Sequence, residues 1–425
     1  MILHSQFCPI IIPKEIMKKT SILLSVVLSA FIVNAQTADS AITQGSANDV
    51  YYSFKTSGVA EVDKSTWDIA LNTAAFDASI LINESAGVEL YSYSVDTSEW
   101  NSVDTAGFHF ENEYNSQESW SDGAFVRLAT GHPDYGWGTY NSGNHDVNGS
   151  RLFIVKGRDG NFYQVVIEKM SAAGVYTLKI GDLGGANTSN ITINKKDAAY
   201  ANKNFVQFDL SSKSVLNQEP DTKDWDLLFT KYIAMIQAGP DLVPYPVSGV
   251  KINKNYQVAE RNGVDNSSND TSSLSWNENI TEIGSDWKSF NMGTFAYDIV
   301  EQRTYFVRGN GGAVWKIYFT GYKGGATGGF YFNIEQLRSS VSVKESYKLA
   351  SKLYPNPASG SFTIENNENK KIDVTISTLM GGVVNTTEIY PNSLEVIDAL
   401  GLTSGVYVVT ISTGSKVSTE RVVIK

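Results

Sequence analysis

Histidine is scarce in this chain, which makes its placement informative. Of the four present, His4 lies near the start, and His109, His132 and His145 all fall in the first half. His132 and His145 bracket an aromatic, glycine-rich stretch, His132-Pro-Asp-Tyr-Gly-Trp-Gly-Thr-Tyr-Asn-Ser-Gly-Asn-His145. Neutral imidazole ligates haem iron and divalent metals, and Tyr135, Trp137 and Tyr140 are flat enough to line a porphyrin face. The bland alternative is a surface loop with incidental histidines. His109, in Phe108-His-Phe110, alternates with aromatics and reads as a strand residue. Met292, in Phe290-Asn-Met-Gly-Thr-Phe295, offers the other axial-ligand type, although methionine is more often a packing residue. Asp146-Val-Asn-Gly-Ser150 has oxygen ligands of the calcium-loop kind but lacks the closing bidentate Glu.

Other chemistry is poorly supported. The sequence contains no nucleotide-binding loop, no Gly-x-Ser-x-Gly elbow and no His-Glu-x-x-His. Carboxylate pairs for glycoside hydrolysis cannot be picked out from 45 acidic residues. A net charge of −11 with no basic patch disfavours nucleic-acid binding. The single cysteine, Cys8, lies in a segment expected to be removed, which excludes disulfides, thiol catalysis and cysteine-bound zinc from the mature chain. An enzyme is not supported.

The segment expected to be removed is residues 1–35. Lys18 and Lys19 precede an apolar run from Ile22 to Val33, and Val33-Asn34-Ala35 is a small-residue cleavage site. This is the pattern of a secretory signal peptide, with translation expected to begin at Met17. No later apolar run is long enough to stop the chain in a bilayer.

Beyond it the elements that must position any site are strands. Short alternating runs such as Arg151–Lys156 and Phe162–Ile167 flank Arg158-Asp-Gly-Asn161, a tight-turn signal. The runs recur. Tyr52-Ser-Phe54 followed by Trp67-Asp68 is echoed by Val206-Gln-Phe208 and Trp225-Asp226. Arg151–Gly157 is echoed by Arg303–Gly309, Phe162-Tyr163 by Val314-Trp315, and Gly174–Leu178 by Gly329–Asn333. The order is the same throughout, so two repeated antiparallel β domains are expected, at 50–185 and 204–337. Trp67 and Trp225 are expected to be equivalent and largely buried anchors.

This pattern resembles the HmuY family of exported haem-binding proteins. The resemblance rests on the strand–Trp-Asp opening, on Gly87-Val88 and Gly249-Val250, and on the hairpin Lys156-Gly-Arg-Asp-Gly-Asn-Phe-Tyr163. It implies an all-β fold and haem as a cofactor held by two side-chain ligands on loops. The family's ligand loops have no residue-by-residue match here, and His132, His145 and His109 are the metal-ligand candidates that the residues themselves offer. The second unit departs from it, with Asn310-Gly311-Gly312 at the turn and no histidine.

After a polar stretch at 338–351, read as a linker, comes Lys352-Leu-Tyr-Pro-Asn-Pro-Ala-Ser-Gly360. Gly405-Val-Tyr and a basic final strand, Arg421–Lys425, follow. This combination resembles the C-terminal sorting domain of type IX secretion, over 352–425. It implies the type IX machinery as partner and an Ig-like β-sandwich, in which Pro355 and Pro357 interrupt pairing and Gly405 opens an apolar strand. Two functions remain open: a surface haem-binding module, or a structural, adhesin-like protein with no small ligand.

Overall fold

The computed structural model describes residues 36–106, 108–339, 351–379, 381–413 and 416–425. The signal-peptide segment 1–35 and most of the linker lie outside the described residues.

The body is built almost wholly from antiparallel strands. β1 (Thr37–Ile42) leads into the hairpin β2 (Asn48–Ser53) and β3 (Gly58–Asp63), then β4 (Ile69–Asn72), β5 (Ile80–Ile82) and β6 (Glu89–Ser94). A long connection carries the short strands β7 (Asn112–Glu113), β8 (Gly138–Tyr140) and β9 (Val147–Gly149). β10 (Leu152–Lys156), β11 (Phe162–Met170) and β12 (Val175–Asp182) complete the first repeat. The second begins with β13 (Ser189–Asn194), β14 (Phe205–Asp209), β15 (Ser214–Leu216), β16 (Leu227–Ala238) and β17 (Asp241–Ile252). β18 (Gln257–Asn262), β19 (Lys288–Asn291), β20 (Ala296–Ile299), β21 (Arg303–Arg308), β22 (Val314–Tyr322) and β23 (Gly329–Arg338) follow.

Sheet order reveals an internal symmetry. One sheet runs β1-β23-β22-β21-β18, and its counterpart contains β13-β12-β11-β10-β6. A second pair of sheets runs β3-β2-β16-β17 and β15-β14-β4-β5. Here the repeats trade strands. β2 pairs with β16 of the second repeat, Tyr52 opposite Leu227. β14 pairs with β4 of the first, Phe208 opposite Ile69. Tyr52, rather than Phe54, is thus the equivalent of Phe208, which puts the alignment of Tyr52-Ser-Phe54 with Val206-Gln-Phe208 two residues out of register.

The cores follow the exchange rather than the repeat boundaries. One core joins Val50, Tyr52 and Phe54 to Phe229, Tyr305 and Phe332; the other joins Phe153, Val165 and Tyr176 to Val206, Phe208 and Leu210. Residues 50–185 and 204–337 therefore describe a repeat of sequence, while each sheet-bounded core takes strands from both.

The Trp-Asp steps fix this exchange. The Asp226 amide donates to Tyr52 O (2.7 Å), and its carboxylate accepts from Phe54 N (2.6 Å) and Tyr256 Oη (2.7 Å). The Asp68 amide donates to Phe208 O (2.9 Å), and its carboxylate accepts from Leu210 N (2.8 Å) and Arg158 N (3.0 Å). Asn83 and Asn253 close the two arrangements, donating to Trp67 O (2.8 Å) and Trp225 O (2.7 Å). The Asp-Gly turn forms as expected: Gly160 takes φ 81° and Asp159 accepts from Asn161 N at 3.0 Å.

The tail is a separate set of seven strands with its own core of Phe362, Ile364, Val374, Val409, Ile411 and Val422 among others. They are β24 (Ser351–Ser359), β25 (Ser361–Asn366), β26 (Ile372–Thr378), β27 (Val383–Ile389), β28 (Ser393–Asp398), β29 (Gly405–Thr413) and β30 (Lys416–Ile424). β24 pairs with β25 up to Tyr354, and its other end, Ala358, pairs with Ile424 of β30. Pro355 and Pro357 occupy the unpaired step between. The Asn356 side chain substitutes for a peptide group there, donating to Arg421 O (2.7 Å) and accepting from Val423 N (3.0 Å).

Trp225 is 2% exposed and packs edge-on against Tyr51, with ring centroids 5.0 Å apart. Trp67 is only half-buried, because the position equivalent to Tyr51 holds Gln207, which brings no ring. Trp225→Ala should cost about 3–5 kcal/mol in denaturant unfolding and Trp67→Ala clearly less; equal costs would remove this asymmetry.

Candidate functional site

Two places gather chemistry, one on the surface and one inside. On the surface, β8 and β9 form a hairpin whose tip carries His145, with Tyr140 at the end of β8. His145 is exposed at φ 63°, and its Nδ1 lies 2.5 Å from Tyr140 Oη. The exposed His132 ring is centred 5.2 Å from that of Tyr140. Tyr135 and Tyr140 are half-buried. Together with Phe76, His145 and Met170 they line a groove of about 80 Å³.

The structure separates the remaining candidates from this groove. Trp137 is fully buried, its Nε1 donating to Ala78 O at 2.9 Å, so it is a core residue and cannot face a ligand. His109 is exposed and outside any strand, β7 beginning only at Asn112, so the expected strand assignment does not hold. Alternation with Phe108 and Phe110 reflects a loop aromatic cluster, the two rings packing at 4.9 Å. Asp146 is engaged structurally: it accepts from Ala172 N at 2.9 Å and pairs with Lys169 at 3.5 Å. Among the described residues no group of three or more His, Cys, Asp or Glu is placed to hold a metal ion.

The second hairpin, β19–β20, repeats the first in detail. Asn141 and Asn291 accept from Gly143 N (2.8 Å) and Gly293 N (2.9 Å). His145 corresponds to Phe295, also at positive φ (53°), and Tyr140 to Phe290. Met292 sits at the turn, 73% exposed, and Phe295 is 77% exposed.

The interior site was not legible from sequence. Where the two strand-exchanged sheets meet, Tyr51, Trp67, Trp120, Phe205 and Trp225 surround a cavity of about 60 Å³. Buried charges lie in its wall. Asp49 accepts from Thr230 Oγ1 at 2.5 Å and faces Lys64 at 3.6 Å. Glu84 accepts from Asn115 N at 2.8 Å, and Lys251 lies over the Trp120 and Tyr232 rings at 5.2 and 4.9 Å. Burial raises the Asp49 and Glu84 carboxyls and lowers the Lys251 ammonium, against the opposing pull of their partners. Glu219 binds the amides of Asn204 (2.9 Å) and Phe205 (2.8 Å) with one oxygen. Burial pushes its pKa up to about 8.

The tail answers to a known family. Residues 352–425 match the model of a secretion system C-terminal sorting domain. The chain is thus marked for export to the cell surface or the extracellular space by the type IX route. No helix among the described residues is long and apolar enough to cross a membrane. No curated protein matches the chain.

Two outcomes follow from this placement. A carboxyl raised from 4.5 to about 8 binds its proton more tightly folded than unfolded. Stability therefore falls as pH rises between those values, by at most about 1.4 kcal/mol per pH unit. Glu219→Gln should flatten that fall in denaturant titrations across the window; an unchanged slope would place the proton elsewhere. Deleting residues 352–425 should leave the body folded, since its cores contain no tail residue, yet retained in the periplasm. Truncated protein reaching the surface, by fractionation and surface proteolysis, would break the link between tail and export.

Proposed function

We propose that this protein works at the cell surface by binding rather than by catalysis, through the tips of its two equivalent hairpins. The observation that carries this is the swap of His145 for Phe295 on matched backbone: both repeats keep an exposed ring, while only one keeps a metal ligand. Phe76 beside the first tip is 91% exposed, and Phe295 and Met292 dominate the second. Large apolar side chains left in water beside both tips fit a contact surface better than a packing accident. A panel of immobilised polysaccharides and extracellular proteins tests it, comparing the mature chain with a Phe76→Ser, Phe290→Ser, Phe295→Ser variant. At least one interaction should be lost in the variant with its thermal unfolding unchanged; interactions indifferent to the variant would move the contact surface elsewhere.

A second reading is haem binding at the first tip, in line with the HmuY resemblance of the repeats. It is favoured by the contact of His145 Nδ1 with Tyr140, which holds the ring in place and leaves Nε2 free to ligate iron. Phe76 and Tyr135 would flank the porphyrin. Haemin added to the mature chain should then give a sharpened, red-shifted Soret band that His145→Ala weakens strongly without loss of stability. An unaltered haemin spectrum with the wild type would end this reading and leave the first standing.

A further inference from the structure

We propose that the cavity between the strand-exchanged sheets is a binding site for small hydroxyl-bearing molecules, either water or a compact polyol. The warrant is a set of buried polar atoms with no hydrogen-bond partner among the described residues: Trp67 Nε1, Trp225 Nε1, Gln207 Oε1 and Glu219 Oε1. All four residues line the cavity, and Trp225, Gln207 and Glu219 are each at most 3% exposed. Native proteins leave very few buried polar atoms unpaired, and four around one space amount to a shared requirement.

The chemistry of the set selects the ligand. Two indoles supply donors only, and the Gln207 carbonyl oxygen accepts only. A group between them must accept from the former and donate to the latter, which a hydroxyl does and neither a carboxylate nor an ammonium can. Of the ionised groups nearby, Asp49 faces Lys64 at 3.6 Å and Lys251 lies over the Trp120 and Tyr232 rings. Size agrees. A cavity of about 60 Å³ holds several water molecules, at roughly 10–15 Å³ each on this measure, or one solute of a few heavy atoms. The two indoles hold the same position in the two repeats, so the site exists only because the repeats are joined by exchanged strands. It is independent of how the surface hairpins are used.

The test reads the indole N–H signals of Trp67 and Trp225 in ¹⁵N-labelled full-length chain, assigned with Trp67→Phe and Trp225→Phe. Both should show cross-peaks to water. Gln207→Leu should shift both signals although Gln207 touches neither N–H, because the bridging hydroxyl group is lost. Ethylene glycol and glycerol distinguish the sources in the unaltered chain, which keeps the test informative if Gln207→Leu fails to fold. Saturable shifts with loss of the water cross-peaks identify an exchangeable polyol site; water cross-peaks that resist both solutes identify resident water. Indoles with neither water cross-peaks nor solute-dependent shifts would mean a dry cavity and overturn the proposal.

Discussion

Two carboxylates, Asp68 buried and Asp226 half-buried, hold this body together. Asp226 and Asp68 each sit one residue after a tryptophan, and each binds the other repeat's backbone just past β2 or β14, at Phe54 N and Leu210 N. A carboxylate out of water is tolerated only where its lone pairs are met, and here backbone amides, the Tyr256 hydroxyl and the Arg158 guanidinium meet them. Burial raises both carboxyls, so these contacts sit in desolvated surroundings. The result is reciprocal: neither core is complete with the strands of one repeat alone.

That reciprocity explains where the chemistry lies. Joining the two exchanged sheets brings Trp67 and Trp225 to one cavity and forces Asp49, Lys64, Glu84, Lys251 and Glu219 into the interior around it. Such buried ionisable groups are poor sources of net stability, yet leaving any one of them without its partners would be costly. The outer hairpins carry no such burden. Their tips vary from His145 to Phe295 while the turn geometry stays fixed, and the sorting tail delivers both to the surface.

Much of the fold was legible in the residues. Period-two alternation marked β10 and β11, Asp159-Gly160 marked their turn, and the ordered echoes exposed the repeat. Tyr354-Pro-Asn-Pro357 located the tail, and the structure adds why Asn356 belongs there: it replaces the peptide contacts the prolines cannot make. The strand exchange was hidden because local pattern says which face of a strand is apolar, not which strand lies beside it. Trp137 misled for a related reason. Its polar, glycine-rich neighbours suggest a loop, yet the loop folds inward at that one residue and its indole finds Ala78 O. Nothing in the sequence marks Glu219, whose properties come wholly from residues brought around it by folding.

The exchange of strands makes the two repeats one interlocked body, and cutting the chain between them tests it. A protease site inserted between the exposed residues Ala198 and Ala199 severs the connection between β13 and β14 without touching any paired strand. After cleavage, size-exclusion chromatography in native buffer should show both fragments in a single peak at the uncut position, separating only in denaturant. Fragments that part in native buffer, each keeping its own β-sheet signal, would show two independent domains and contradict the exchange.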